Sequence, residues 1–121
     1  MIRIFLTCLA LLALATPSRA ATETVVGPQT INPLDVAVVT TGGTAVQALG
    51  PGEHAAGGFI QNPPTATVAL CINEAGPAVA GGSGSTTCVS PGIVYPLAPN
   101  GGTVSVVSSD SNHPFSGYGL R

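Results

Sequence analysis

The sequence predicts an all-β fold: a small antiparallel sandwich, jelly-roll-like, of about seven or eight short strands behind a cleavable signal helix. Three observations predict it. Runs of Val, Ile, Thr and Leu of strand length are punctuated by turn signals, among them Gly42-Gly43, Gly50-Pro51-Gly52, Asn62-Pro63-Pro64, Ser90-Pro91-Gly92 and Pro99-Asn100-Gly101-Gly102. Gly and Pro are abundant, 16 and 11 of 121 residues, and no window beyond the leader repeats its apolar residues at the helical spacing of 3.6. Several runs instead alternate with period two, which places successive side chains on opposite faces of a sheet.

Taken in order, Met1 to Ala20 has the parts of a secretory signal peptide. Arg3 supplies a short basic start, Ile4 to Ala15 an apolar stretch, and Ser18-Arg19-Ala20 the small residues that precede cleavage after Ala20. The apolar stretch is shorter than the 18 or so residues that span a bilayer. Residues 21–33 form an N-terminal arm, either an extended tail or an edge strand around Thr24 to Val26, and residues 34–121 form the single sandwich domain. Its strands are predicted at Leu34–Thr41, Thr44–Leu49, Gly58–Gln61, Ala66–Asn73, Thr87–Val89, Ile93–Leu97, Thr103–Ser108 and Phe115–Tyr118. In the fourth, Val68, Leu70 and Ile72 share one face and Cys71 points to the other. Ile93, Tyr95 and Leu97 form an inward row, Val104 and Val106 another, and Pro96 marks its strand as an edge or a bulge. Gly76 to Thr87 reads as a solvated connector tied at its base, with a presented binding loop as the functional alternative.

Export gives the cysteines their meaning. Without the leader and its Cys8, Cys71 and Cys88 form an even pair in an oxidising compartment, and one intramolecular disulfide follows. Sixteen residues lie between them. Closing a loop of that size stabilises a fold by roughly 3 kcal/mol in the chain-entropy account.

Charge excludes whole classes of partner. Charged residues are 7% of the chain and Lys is absent; removing Arg3 and Arg19 with the leader leaves Arg121 against Glu23, Asp35, Glu53, Glu74 and Asp110. Nucleic acid and acidic lipid surfaces need clustered cations, so neither is a partner, and no membrane is engaged after cleavage. Chemistry-bearing residues are sparse. Asp110-Ser111-Asn112-His113 places a carboxylate, a hydroxyl and an imidazole in one short run, but triads are assembled from distant segments, and the run reads as turn formers. Glu53-His54 follows Gly50-Pro51-Gly52 and reads as a solvent-facing turn. Glu53, His54, Asp110 and His113 are the conceivable metal set, with nothing in their spacing to bring them together. No catalytic, cofactor or metal residue is assigned, and no cofactor is expected. Trp is absent and the mature tyrosines are Tyr95 and Tyr118, a thin set of platforms for sugar stacking.

The order of several segments resembles a loose family of small bacteriophage virion accessory proteins of the decoration type. The resemblance rests on Val38-Val39-Thr40-Thr41-Gly42-Gly43-Thr44-Ala45, then Gly57 to Pro63, then Leu70-Cys71-Ile72-Asn73. In the second half it continues through Tyr95 to Gly102 and Val104 to Val107 followed by Phe115, so that it spans residues 36–119. It implies a compact β-sandwich with structural duty on a particle surface and without catalytic residues. The functional expectation is an exported, non-catalytic structural or interaction module that meets a protein partner or associates with itself through strand edges, as a homo-oligomer in the latter case. The alternative is a periplasmic or extracellular glycan-binding module using Tyr95 or Tyr118. A pilin-like subunit is less compatible with the Cys spacing. Intact mass checks the processing and the staple: the exported protein should weigh what Ala21–Arg121 weighs with two hydrogens missing, and reduction should restore them.

Overall fold

The computed structural model describes residues 29–99 and 102–121. The signal peptide and the edge strand expected around Thr24 to Val26 lie outside the described residues. Ten strands follow one another: β1 (Ile31–Pro33), β2 (Val38–Val39), β3 (Val46–Leu49), β4 (Gly57–Gln61), β5 (Leu70–Asn73), β6 (Thr87–Val89), β7 (Val94–Leu97), β8 (Val104–Ser108), β9 (His113–Pro114) and β10 (Ser116–Leu120). Sheet I has the order β1-β10-β4-β7, sheet II the order β3-β8-β5-β6, and β2 pairs with β9 in a short ribbon. All pairings are antiparallel. Apart from the ribbon, the eight remaining strands divide into two interlocked Greek keys, which is the jelly-roll topology.

The all-β expectation therefore holds, and most strands lie within a residue or two of their predicted ends. Two differ more. The run Leu34–Thr41 contributes only Val38–Val39 to a ladder, because Leu34 to Ala37 crosses from sheet I to sheet II and Asp35 N–H donates to the Ala48 carbonyl on the way (2.8 Å). Strand β1 comes instead from the residues assigned to the arm, where Thr30 and Arg121 exchange both backbone hydrogen bonds and align Ile31 with Leu120. Strand β5 starts at Leu70 rather than Ala66, since Asn62 holds the Val68 carbonyl in the preceding loop.

The alternation in β5 packs as the sequence implies. Leu70 and Ile72 enter the main core with Val39, Leu49, Ile60, Val104, Val106 and Phe115, and Leu97 and Tyr95 of β7 face it from sheet I. Ile93 does not join that row; it is 50% exposed because it closes the turn that begins at Ser90, to whose carbonyl its N–H donates. Cys71 points to the opposite face of sheet II, where it packs with Val107 and Ala78. Cys71 and Cys88 are direct partners in the β5–β6 register and are joined by the disulfide. The connector that follows β5 is exposed over residues 79–85 and tied at its base, as expected. Asn73 Nδ2 donates to the Pro77 carbonyl and the Thr86 hydroxyl (both 3.2 Å), and Ala78 N–H donates to the Ser105 hydroxyl (2.9 Å).

Gly119 is where backbone must approach backbone. A Cβ there would lie 2.1 Å from the Glu53 carbonyl oxygen, so only glycine lets the turn after β3 tuck against β10. Ile72→Ala should cost about 2–5 kcal/mol in urea-induced unfolding, the usual range for emptying a fully buried aliphatic site. Reduction of the disulfide should lower stability by up to roughly 3 kcal/mol in the same assay.

Candidate functional site

A two-layer sandwich with short strands leaves two open ends, and strand directions place one histidine at each. His54 sits in the turn between β3 and β4, fully buried, and not in solvent as its neighbours in sequence imply. Its Nδ1 lies 3.1 Å from the Ala98 carbonyl, and its Nε2 meets the Gly102 carbonyl, so the ring ties this turn to the β7–β8 connection. Glu53 stays local, accepting from Gly50 N–H, while Asn32 donates to the Glu53 carbonyl (2.9 Å).

His113 closes the other end and is 2% exposed. Its Nδ1 lies 2.8 Å from Asp110 Oδ1, and its Nε2 lies 2.9 Å from Asn62 Oδ1. The Asn62 amide donates in turn to the Val68 and Val89 carbonyls (3.0 Å each), which fixes its oxygen toward the imidazole. The result is a carboxylate–imidazole–amide chain, with its carboxylate partly exposed and its imidazole and amide buried, from the β8–β9 turn, through the end of β4, to the end of β6. Both histidines thus meet oxygen atoms at both ring nitrogens. Asp110 to Asn112 are turn formers as expected, with Asn112 in the left-handed region at φ 55°. What short-range reading misses is that the turn aims His113 inward at a residue 51 positions away.

Around Asp110, partial loss of water pushes its carboxyl up, while hydrogen bonds involving Ser108 and His113 and the imidazole's charge act the other way and hold it below its ordinary value. Glu74 braces the edge of β7, accepting from the Tyr95 hydroxyl (3.0 Å) and from Ala98 N–H (2.9 Å). Burial, then this carboxylate, pushes the Tyr95 hydroxyl upward. The conceivable metal set is split by this geometry, with Glu53 and His54 at one end and Asp110 and His113 at the other. Among the described residues no three His, Cys, Asp or Glu side chains converge on one point.

Two surfaces remain. One is an open groove of about 370 Å³ on the outside of sheet II, between Ala45 and Gln47 before and in β3, Gly76 and Pro77 of the connector, and Thr103 and Ser105. The other is the outer face of sheet I. There Pro33, Tyr118, Phe59 and Pro96 stand in one register row across all four strands. Phe59 and Tyr118 meet edge to face, ring centroids 4.6 Å apart. Flanking rows hold Ile31 and Leu120 on one side and Ser116, Gln61 and Val94 on the other. Ile31 is 64% and Val94 48% exposed. No position of these rows carries a charge.

Each margin of this sheet carries a proline at an outward-facing position. The double bond between Thr30 and Arg121 sets the alternation along β1, so Pro33 occupies a position whose N–H would point outward. On β7 the bond from Asn62 N–H to the Ile93 carbonyl sets the same phase, and Pro96 again replaces an outward N–H. Prolines at such positions remove the donors that an incoming strand needs. Tyr95 faces the core edge and Tyr118 the open face, so the two tyrosines do not share one groove.

No known protein family, curated protein or solved structure matches this chain.

His113→Ala should cost about 1–3 kcal/mol in thermal or chemical unfolding, because the Asn62 oxygen then lacks its buried partner. The carboxyl of Asp110 is held low in the folded state. Its stabilising contribution is therefore complete above the ordinary carboxylate range near pH 4 and lost as pH falls through the lowered folded value. In melting curves, the gap between the wild type and Asp110→Asn should be widest at neutral pH and close as pH falls below the ordinary carboxylate range.

Proposed function

We propose that the protein is an exported, non-catalytic structural or interaction module, comparable in role to the particle-surface accessory proteins its sequence resembles, and that its working surface is the outer face of sheet I. The observation that carries this reading is a charge-free sheet face with exposed Ile31, Pro33, Val94 and Pro96, in a chain whose buried polar side chains serve as internal braces. Exposed apolar patches of this kind mark contact surfaces more often than plain solvent boundaries. The prolines on both margins direct contact onto the face and away from the strand edges, which favours face-on docking over pairing through β1 or β7.

The rest of the fold supports a block that holds its shape. His54, Asn62, Glu74 and His113 each connect segments far apart in sequence, and the disulfide joins β5 to β6. Such cross-links suit a component that presents a surface without rearranging.

The double variant Ile31→Glu with Val94→Glu places charge on the face without touching the core. The wild-type protein should co-sediment with a particle or cell-surface fraction, and the variant, still folded by circular dichroism, should shift to the soluble fraction. Equal partition of the two overturns the reading.

A further inference from the structure

The geometry points to an uncharged oligosaccharide as the occupant of the outer face of sheet I, lying along the row from Pro33 through Tyr118 and Phe59 to Pro96; this assignment rests on that face being the working surface. Three observations select this ligand class.

The first is size. Four strands about 4.8 Å apart and up to five residues long give a face of roughly 300 Å². A stable protein–protein contact needs about 800 Å² from each partner. By itself the face matches a ligand a few rings long, and a protein partner would have to reach beyond it onto the surrounding surface.

The second is the chemistry of the row. Proline and aromatic rings offer C–H and π surfaces against the apolar faces of sugar rings, and here two adjacent aromatics are flanked by a proline on each side at strand spacing. Half-burial of Phe59 and Tyr118 against each other holds the two rings in place before anything binds, which reduces the ordering cost of association.

The third is the polar complement. The Tyr118 and Ser116 hydroxyls and the Gln61 amide make no hydrogen bond to another described residue. Between them they present donors and acceptors without any charge, which is what recognition of hydroxyl groups requires. Acidic sugars and phosphate-bearing polymers find no cation on these rows, and a basic polymer finds no carboxylate. A neutral polyhydroxylated chain loses least on entering such a face, because no ion has to be desolvated.

The test is affinity electrophoresis of the exported protein in gels containing dextran, hydroxyethyl cellulose or neutral mannan, with polygalacturonate as the charged comparison. The wild type should be retarded in at least one neutral gel and not in polygalacturonate. Gln61→Ala and Tyr118→Ala should each weaken retardation about tenfold in apparent affinity, the effect of one lost contact worth 1.4 kcal/mol. Because Tyr118→Ala also removes packing against Phe59, Gln61→Ala serves as the variant whose fold is not at stake. Free passage through every neutral gel overturns the assignment. If the Ile31→Glu/Val94→Glu variant has meanwhile left its particulate fraction, the face remains a contact surface and only the ligand class fails. A wild-type dimer in sedimentation equilibrium that this double variant abolishes assigns the face to a second copy and likewise overturns the proposal.

Discussion

A sandwich this small, with a core of Val, Leu and Ile around Phe115, depends on how its open ends are closed. Larger jelly rolls can cap such ends with bulky side chains from long loops. Here each end is closed by one imidazole held between oxygens of different chain segments. A buried polar group of this kind is costly when unpaired and strongly position-specifying when every contact is made. The two rings therefore do more than fill space: they set which loops meet, and through Asn62 one of them reaches the ends of both β4 and β6.

That arrangement explains the distribution of the remaining polar chemistry. With few charges to place, the chain spends Glu74 on the exposed margin of β7, Asp110 on the outer side of His113, and Asn73 on the connector after β5. The surface left over on sheet I is neutral and partly apolar, bounded by Pro33 and Pro96. An apolar face with open edges would invite uncontrolled sheet growth; here a proline replaces one of the outward donors on each margin, which favours contact through the face.

Much of this fold was legible from the sequence because its signals are local. Period-two runs such as Leu70-Cys71-Ile72 and Val104-Ser105-Val106 place their alternate residues correctly, Pro96 marks an edge, and the pair Cys71 and Cys88 becomes a cross-strand disulfide. The parts that were not legible depend on contacts between distant segments. Glu53-His54 looks like a solvent-facing turn until Gly119, 65 positions later, provides the gap that lets the turn fold inward. His113 looks like the end of a hairpin turn until Asn62 supplies its acceptor. The outer face of sheet I is similar: Pro33, Phe59, Pro96 and Tyr118 are scattered along the chain, and only the strand order lines them up.

The pairing of β1 with β10 joins the beginning of the described domain to its end, with Ile31 opposite Leu120. Sheet I cannot close without β10, the middle partner that both β1 and β4 require. A chain lacking Ser116–Leu120 would have first and fourth strands with nothing between them, so one short segment decides whether half of the sandwich exists.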